Sequence, residues 1–116
     1  MCRTNVISNI NGPEQFTKRG NNAPVSMNLV RLAMLASKKC EDETAKVNFF
    51  FDKLFELLEL SERALLHRHE TLCKLKGKDV PFITENNMFL GCENIGPEDS
   101  IEPYLKNNSY SIGLAI

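Results

Sequence analysis

Two side chains near the start of the chain are candidates for chemistry: Cys2, in Cys-Arg-Thr, and Asn21, in Arg-Gly-Asn. The sulfur of Cys2 is the candidate reactive atom, and the amide of Asn21 offers both a hydrogen-bond donor and an acceptor without adding charge. Each also has an ordinary interpretation, because a single cysteine is usually an unreactive thiol and an asparagine beside glycine usually lies in a turn. A Ser-x-Asn-Leu-x-Arg pattern follows at 26–31.

Length and charge limit the class of protein. The 116 residues predict one domain, and the apolar content of 42% is ordinary for a globular chain. The net charge of −1 gives no basic surface for nucleic acid. Residues 79–102 carry six acids and no lysine or arginine. This acidic segment would repel phosphate polymers, so we expect no nucleic-acid partner.

The cysteines predict free thiols rather than a disulfide framework. Cys2, Cys40, Cys73 and Cys92 are far apart and form no CxxC pair. Polar residues rather than an apolar signal segment follow Met1, so we expect a cytoplasmic protein. No apolar run is long enough to span a membrane.

Other polar residues favour structural roles. His67 and His69 are two residues apart on a predicted helix and cannot share a face, so no metal site is expected there. Glu98, Asp99 and Glu102 are expected in a solvated loop and helix cap.

The elements around the two candidate residues predict an α/β fold. Gly20–Asn22 is expected to be a turn, 23–29 a strand with Val25, Met27 and Leu29 on one face, and 30–37 a helix. The helical stripe expected there is Val30, Ala33, Met34 and Ser37. A strand followed so closely by a helix is typical of α/β architecture.

A long helix is predicted over 43–76, with Asp42, Glu43 or Thr44 near its start and Gly77 at its C′ position. Its apolar stripe is Val47, Phe50, Phe51, Leu54, Leu57, Leu58, Leu65, Leu72 and Leu75. Such a helix would be about 51 Å long, more than the roughly 35 Å across a compact domain of this size. It should therefore either break, near Ser61, or belong to a larger body.

The rest of the chain, 78–116, is predicted to be an irregular acidic loop followed by a terminal strand. Val80-Pro81-Phe82-Ile83 is expected to be extended, and Asp99 or Ser100 to cap a helical turn at 102–105. Residues 110–116 predict a buried strand.

Several motifs in this order resemble the catalytic subunit of the anaerobic, class III ribonucleoside-triphosphate reductases, which are glycyl-radical enzymes. The family pattern is Gly-Cys-Arg-Thr/Ser, a turn often ending Asn-Gly, Arg-Gly/Phe-Asn, then Ser-x-Asn-Leu-Pro-Arg. The chain has Cys-Arg-Thr at 2–4, Asn-Gly at 11–12, Arg-Gly-Asn at 19–21 and Ser-Met-Asn-Leu-Val-Arg at 26–31. The likeness continues at 55–57, 64–68, 97–103 and 110–113. Met1 and Val30 stand where the family has glycine and proline.

The resemblance implies that the chain is a partial segment of a glycyl-radical-type α/β barrel. Residues 1–35 would form the active-site loop and strand, 43–76 the long helix, and 78–116 the loop and terminal strand. Cys2 matches the cysteine that becomes a thiyl radical and removes hydrogen from the ribose 3′ carbon. Asn21 matches the asparagine that contacts the ribose. A water-excluded cavity, such as a closed barrel supplies, suits such chemistry.

The resemblance also implies the partners. The parent enzyme would act on a ribonucleoside triphosphate and would receive its glycyl radical from an iron–sulfur, S-adenosylmethionine-dependent activating protein. The radical glycine and a four-cysteine structural zinc site belong to family regions not matched here, and Gly113 matches an internal strand instead. We expect an internal fragment that is inactive alone, with no cofactor of its own. The alternative is a non-enzymatic helical module that binds a partner or a second copy through the Phe/Leu stripe of residues 47–75.

Overall fold

The computed structural model describes residues 8–116. The elements in chain order are β1 (Asn21–Asn28), α1 (Leu29–Lys39), α2 (Glu43–Leu72), α3 (Pro81–Glu85), α4 (Glu102–Asn107) and β2 (Ser109–Ala115). A 3₁₀ turn at Gly77–Asp79 precedes α3. The strands form a two-stranded parallel sheet, so the chain between them makes a helical crossover. The α/β class is confirmed; a two-stranded sheet neither shows nor excludes the barrel.

The strand and first helix follow the sequence pattern with two differences. In β1, Met27 is buried while Ser26 and Asn28 are exposed, as alternation predicts. The helix starts at Leu29, because the side chain of Asn28 accepts a hydrogen bond of 2.8 Å from the backbone N–H of Arg31. The predicted stripe of α1 is wrong: Leu32 and Ala36 form its buried face, whereas Val30 and Met34 are exposed.

Helix α2 is unbroken over its 30 residues, about 45 Å. Asp42 caps it by accepting from the backbone N–H of Ala45 at 3.0 Å. The Ser61 hydroxyl bonds to the carbonyl of Leu57 at 2.7 Å, so the helix runs through the residue where a break was considered. Its more buried face is Phe50, Leu54, Leu58, Ser61 and Leu65, spaced as one side of a helix. Val47, Phe51 and Leu57 from the predicted stripe are exposed instead.

The helix ends four residues earlier than predicted. After Leu72, Lys74 and Leu75 make i→i−3 bonds, and Lys76 pairs with Ser100 in an isolated antiparallel bridge. Gly77 is not a C′ residue of α2; it begins the 3₁₀ turn. The extended segment predicted around Pro81 is also wrong. Proline at the first position of α3 needs no N–H partner there, so it suits a helix start.

Two compact units divide the chain. The described part of the first is 8–23 and 66–111, and the second is 24–65 and 112–116. The first has a core of Phe89, Ile101 and Leu105, packed against half-buried neighbours that include Leu72, Leu75 and Tyr104. The second buries Met27, Leu32, Ala36 and Leu65. No helix among residues 8–116 is long and apolar enough to cross a membrane.

The acidic segment 79–102 packs beside lysines that lie outside it. Glu93 pairs with Lys18 at 2.9 Å. Glu98 pairs with both Lys76 and Lys78, at 3.2 and 3.1 Å. Asp99 accepts from the backbone N–H of Gly96, and Ser100 accepts from the N–H of Glu102. These exposed carboxylates therefore hold the acidic segment in place, in agreement with the predicted solvated loop. The N-cap of α4 is Ile101, however, so the prediction that Asp99 or Ser100 caps this helix is wrong.

Candidate functional site

Asn21 is the first residue of β1, and the beginning of β2 holds it in place. The backbone N–H of Gly20 donates to the side-chain oxygen of Asn108 at 2.7 Å, and the carbonyl of Gly20 accepts from the N–H of Ser109 at 2.9 Å. Asn21 therefore lies in a paired strand and not in the predicted turn. The pairing partners are almost ninety positions away along the chain, so local sequence could not indicate them.

The amide nitrogen of Asn21 is hydrogen-bonded within the described residues, whereas its amide oxygen is not. Its Nδ2 donates to the Oγ of Ser111 at 2.5 Å. Its Oδ1 is buried and has no hydrogen-bond partner among the described residues. A buried carbonyl oxygen without a partner costs about 1–3 kcal/mol, so such an atom in a folded protein calls for an explanation. A ligand that brings an N–H or O–H donor to this oxygen would supply one.

The next side chain bonds to different elements. Asn22 Nδ2 donates to the carbonyl of Leu105 at 2.9 Å, and its Oδ1 accepts from Asn108 at 3.1 Å. The nitrogen and the oxygen of the Asn22 amide thus both bond β1 to the end of α4 and the turn after it. Of the two adjacent asparagines, only Asn21 keeps an unused acceptor.

Arg19 anchors the segment that leads into Asn21. Its Nε donates to the carbonyl of Asn107 at 2.6 Å, and one of its terminal nitrogens donates to the carbonyl of Gln15 at 2.9 Å. A guanidinium suits this work because its donors point in fixed directions. The arginine of Arg-Gly-Asn therefore has a structural part in placing Asn21.

A thiol, an imidazole and a phenol meet near the end of α2. The Nδ1 of His69 lies 2.9 Å from the hydroxyl of Tyr110, and the Sγ of Cys73 lies 3.4 Å from Nε2 of His69. Burial raises the pKa of the Cys73 thiol, helped by the charge of Glu102, and burial raises the pKa of the Tyr110 phenol. Higher pKa values leave less thiolate and phenolate, so this group is suited to packing rather than nucleophilic attack.

The other thiols and the metal ligands give no second site. Cys40, Cys73 and Cys92 are free thiols. Burial also raises the pKa of Cys92. Residues 8–116 contain no group of three or more His, Cys, Asp or Glu side chains that could hold a metal ion.

The second unit contains a groove lined mainly by α1. It has a volume of about 540 Å³, and its lining includes Val30, Met34, Leu35, Arg31 and Lys38. Neither Asn21 nor Ser111 lines it. It contains no buried polar atom without a partner among the described residues, so the argument for a site rests on Asn21.

The ion pair between Lys18 and Glu93 joins the segment before β1 to the acidic segment. A hydrogen bond from Lys18, with further bonds from the backbone N–H groups of Glu93 and Gly91, lowers the pKa of Glu93 to about 2. The folded pKa of Glu93 is lower than the unfolded value of about 4.3. Its ionised carboxylate therefore makes its full contribution to the stability of the fold above that pH. It is lost as the pH falls toward 2.

Replacing Lys18 with methionine should raise the pKa of Glu93 toward its ordinary value, measured by carbon NMR titration of the carboxyl group. The same replacement at Lys53, which pairs with Glu56 on α2, is the matched control and should leave the pKa of Glu93 unchanged. A Glu93 pKa that stays near 2 in the Lys18 variant would show that the backbone bonds alone account for it.

Comparison with known families decides the origin of the chain. The model of the family described as anaerobic ribonucleoside-triphosphate reductase matches residues 1–115. The chain belongs to this family. No curated protein was found to be significantly similar to it. The family resemblance predicted from the ordered motifs is therefore confirmed over the length of the chain.

Some residues of the ribonucleoside-triphosphate reductase motifs have structural roles here, and others remain candidates for function. In Ser-x-Asn-Leu-x-Arg, Asn28 caps α1 and Ser26 is exposed. Cys2 lies outside the described residues, so its catalytic assignment stays a prediction. Sequence reasoning did not single out Ser111, although it stands in the matching run at 110–113; nothing in that run indicates that its hydroxyl meets Asn21.

Proposed function

We propose that this chain supplies the ribose-contacting part of the active site of an anaerobic ribonucleoside-triphosphate reductase. Family membership over residues 1–115 supports the reaction class. The buried, unpartnered Oδ1 of Asn21 is the observation that supports the contact, because a ribose hydroxyl is the kind of donor this atom lacks. Triphosphate oxygens are acceptors and cannot satisfy it. The sugar hydroxyls are donors that can, and the family resemblance, in which Asn21 matches the ribose-contacting asparagine, favours them over the amino group of the base.

Cys2 is proposed to perform the hydrogen transfer. Its sulfur radical takes a hydrogen atom from the ribose 3′ carbon, so that the C–H bond breaks, an S–H bond forms, and the unpaired electron moves to carbon. The thiyl would form when the S–H bond of Cys2 breaks and its hydrogen atom passes to the glycyl radical of the family, which the S-adenosylmethionine-dependent activating protein makes. A thiyl can exchange hydrogen with a C–H bond in this way, whereas hydroxyl and amine side chains do not readily do so. Asn21 would hold the sugar during that transfer.

The 116 residues by themselves are proposed to be inactive, because none of them matches the radical glycine of the family. Incubation of the purified chain with the activating protein, formate, and ATP or CTP should give no deoxynucleotide. Formation of deoxynucleotide would overturn this proposal and would require a radical site within these residues.

Binding to Asn21 can be tested without turnover. Titration of the ¹⁵N-labelled chain with CTP should shift the side-chain amide signals of Asn21. Replacing Asn21 with alanine should weaken CTP binding about 2- to 12-fold, the value of one hydrogen bond. Asn48, exposed near the start of α2, provides the matched control and should have no effect when changed to alanine. Equal CTP affinity in the wild type and the Asn21 variant would contradict the proposed contact.

An exposed apolar face on α2 favours a second candidate function, association through this helix. Val47, Phe51 and Phe55 recur every four residues and are 52%, 49% and 62% exposed. Light scattering during size-exclusion chromatography should show a discrete dimer, and replacing Phe55 with lysine should return it to monomer. A wild-type chain that is monomeric throughout would reject self-association.

A further inference from the structure

The groove on α1 combines apolar side chains with two positive charges. Val30, Met34 and Leu35 line it together with Arg31 and Lys38. Helix α1 contains three basic residues and no acidic one. Within residues 8–116, the side chains of Arg31 and Lys38 make no ion pair. A partner that complements this groove is therefore apolar and carries negative charge.

The exposed face of α2 has these properties. Phe51 and Phe55 are exposed one helical turn apart, and Asp52 and Glu59 are exposed on the same side of the helix. Within residues 8–116, neither Asp52 nor Glu59 makes an ion pair. Residues 43–62 contain five acids and two lysines, and both lysines already pair with carboxylates of α2. This side of α2 is thus both apolar and acidic.

The charged side chains have the same spacing on the two helices. Each helix has a charged, an apolar and a second charged side chain at positions i, i+3 and i+7, namely Arg31, Met34 and Lys38 on α1 and Asp52, Phe55 and Glu59 on α2. Seven residues of an α-helix rise about 10.5 Å. The two cations of α1 and the two carboxylates of α2 are therefore matched in separation, with an apolar side chain between them in each case.

We propose that the exposed face of α2 from a second copy of this chain occupies the α1 groove, and that two copies form a two-fold dimer through this contact. The inference rests on the second candidate function, association through α2, and identifies the surface that the helix meets. In a two-fold dimer the contact is made twice, because α1 of each copy meets α2 of the other. The apolar side chains exclude water at the centre of the contact, and the opposite charges select the register.

Charge reversal on either surface tests which faces meet. The groove variant is Arg31→Glu with Lys38→Glu, and the helix variant is Asp52→Lys with Glu59→Lys. In the dimer of either variant with itself, like charges oppose each other. Each variant should therefore dimerise at least about tenfold more weakly than the wild type, measured by sedimentation equilibrium. All four positions are exposed, so both variants should keep the wild-type fold by circular dichroism.

An equimolar mixture of the groove variant and the helix variant should restore the dimer. In the mixed dimer, the acidic α1 of the groove variant meets the basic α2 of the helix variant. The unchanged α1 and α2 surfaces meet at the second contact. A single chain that carries all four changes should dimerise with itself for the same reason.

The net charges of the two variants are opposite, so general attraction between them needs a control. Arg68→Glu with Lys74→Glu changes two exposed residues outside α1 and gives the same net charge as the groove variant. This control should dimerise with itself as the wild type does. It should bind the helix variant at least about tenfold more weakly than the groove variant does, since its α1 is still basic.

The outcomes separate the inference from the function on which it rests. A wild-type chain that is monomeric at every concentration measured rejects association through α2 and the inference with it, and leaves the groove to a different partner. If Phe55→Lys abolishes the dimer but the groove variant dimerises like the wild type, association through α2 stands and the inference is overturned. A mixture of groove and helix variants that stays monomeric also overturns the inference.

Discussion

Replacing Phe89 with alanine is expected to lower the free energy of unfolding by about 3–5 kcal/mol, as for other buried phenylalanines. Phe89 is 2% exposed and is the largest fully buried side chain among residues 8–116. It packs in one cluster with Ile101 and Leu105, and its ring meets that of Tyr104 edge-on at 5.2 Å. Alanine would leave a cavity at the centre of the first unit, with little else able to fill it.

Urea denaturation followed by circular dichroism measures this loss. Phe82 provides the matched control, because it lies on α3 in the same acidic segment and is 69% exposed. The change from Phe82 to alanine should alter the unfolding free energy by less than about 0.5 kcal/mol. If both variants lose the same stability, Phe89 is not the central residue of this core.

Replacing Gly77 with alanine is expected to destabilise the chain by about 1–3 kcal/mol, because the new methyl group has no room. A Cβ at this position would overlap the carbonyl oxygen of Gly96 and lie 3.2 Å from the Cα of Pro97. Both are backbone atoms, so no side-chain rotation can relieve the overlap. The two chain segments are also hydrogen-bonded here, since the backbone N–H of Gly77 donates to the carbonyl of Asp99 and that of Lys78 donates to the carbonyl of Pro97.

Gly113→Ala is the control for a glycine with room. Its Cβ would lie 3.5 Å from the Oγ of Ser26 and 3.8 Å from the carbonyl of Val25, which are ordinary contacts. Its effect on the unfolding free energy should stay within about 0.5 kcal/mol in the same urea experiment. A Gly77 variant as stable as the Gly113 variant would contradict the close backbone approach.

These two changes test the support of the site rather than the site itself. The cluster around Phe89 includes Leu105, whose carbonyl accepts from Asn22, and α4 leads directly into the start of β2. A loosened core would therefore release the start of β1 and of β2 together. We expect either variant to weaken the contact between Asn21 and Ser111 as well, visible as a shift of the Asn21 amide signals.

Local sequence predicted the elements that depend on local periodicity. Helix α2 was found because its apolar residues repeat at helical spacing over many turns, and Asp42 was among the cap residues that the sequence offered. Its inward face was predicted only in part. Val47 and Phe51 are as apolar as Phe50 and Leu54, and periodicity cannot tell which of two adjacent apolar stripes meets the rest of the protein.

Two elements were predicted wrongly, one for a local reason and one because of contacts between distant segments. Pro81 was assigned to an extended segment, yet Thr84 Oγ1 bonds to the carbonyls of Gly77 and Val80 and closes α3 over the 3₁₀ turn. Asn21 was assigned to a turn from its neighbours, but pairing with β2 draws it into a strand. The partners of Thr84 are seven and four residues away, so the α3 error was one of local interpretation. The partners of Asn21 in β2 lie far outside the window from which propensity is judged.

The family was determined by the sequence, because an ordered set of short motifs survives in the chain whatever their three-dimensional roles. The sequence also pointed to Asn21 as a residue able to donate and accept. Only the tertiary structure decided what surrounds the Asn21 amide. Ser111 is brought to its amide nitrogen by strand pairing across 90 positions, and the amide oxygen is left buried without a donor. Hydrogen-bond satisfaction depends on what the fold places within about 3 Å, and spacing along the chain does not contain that information.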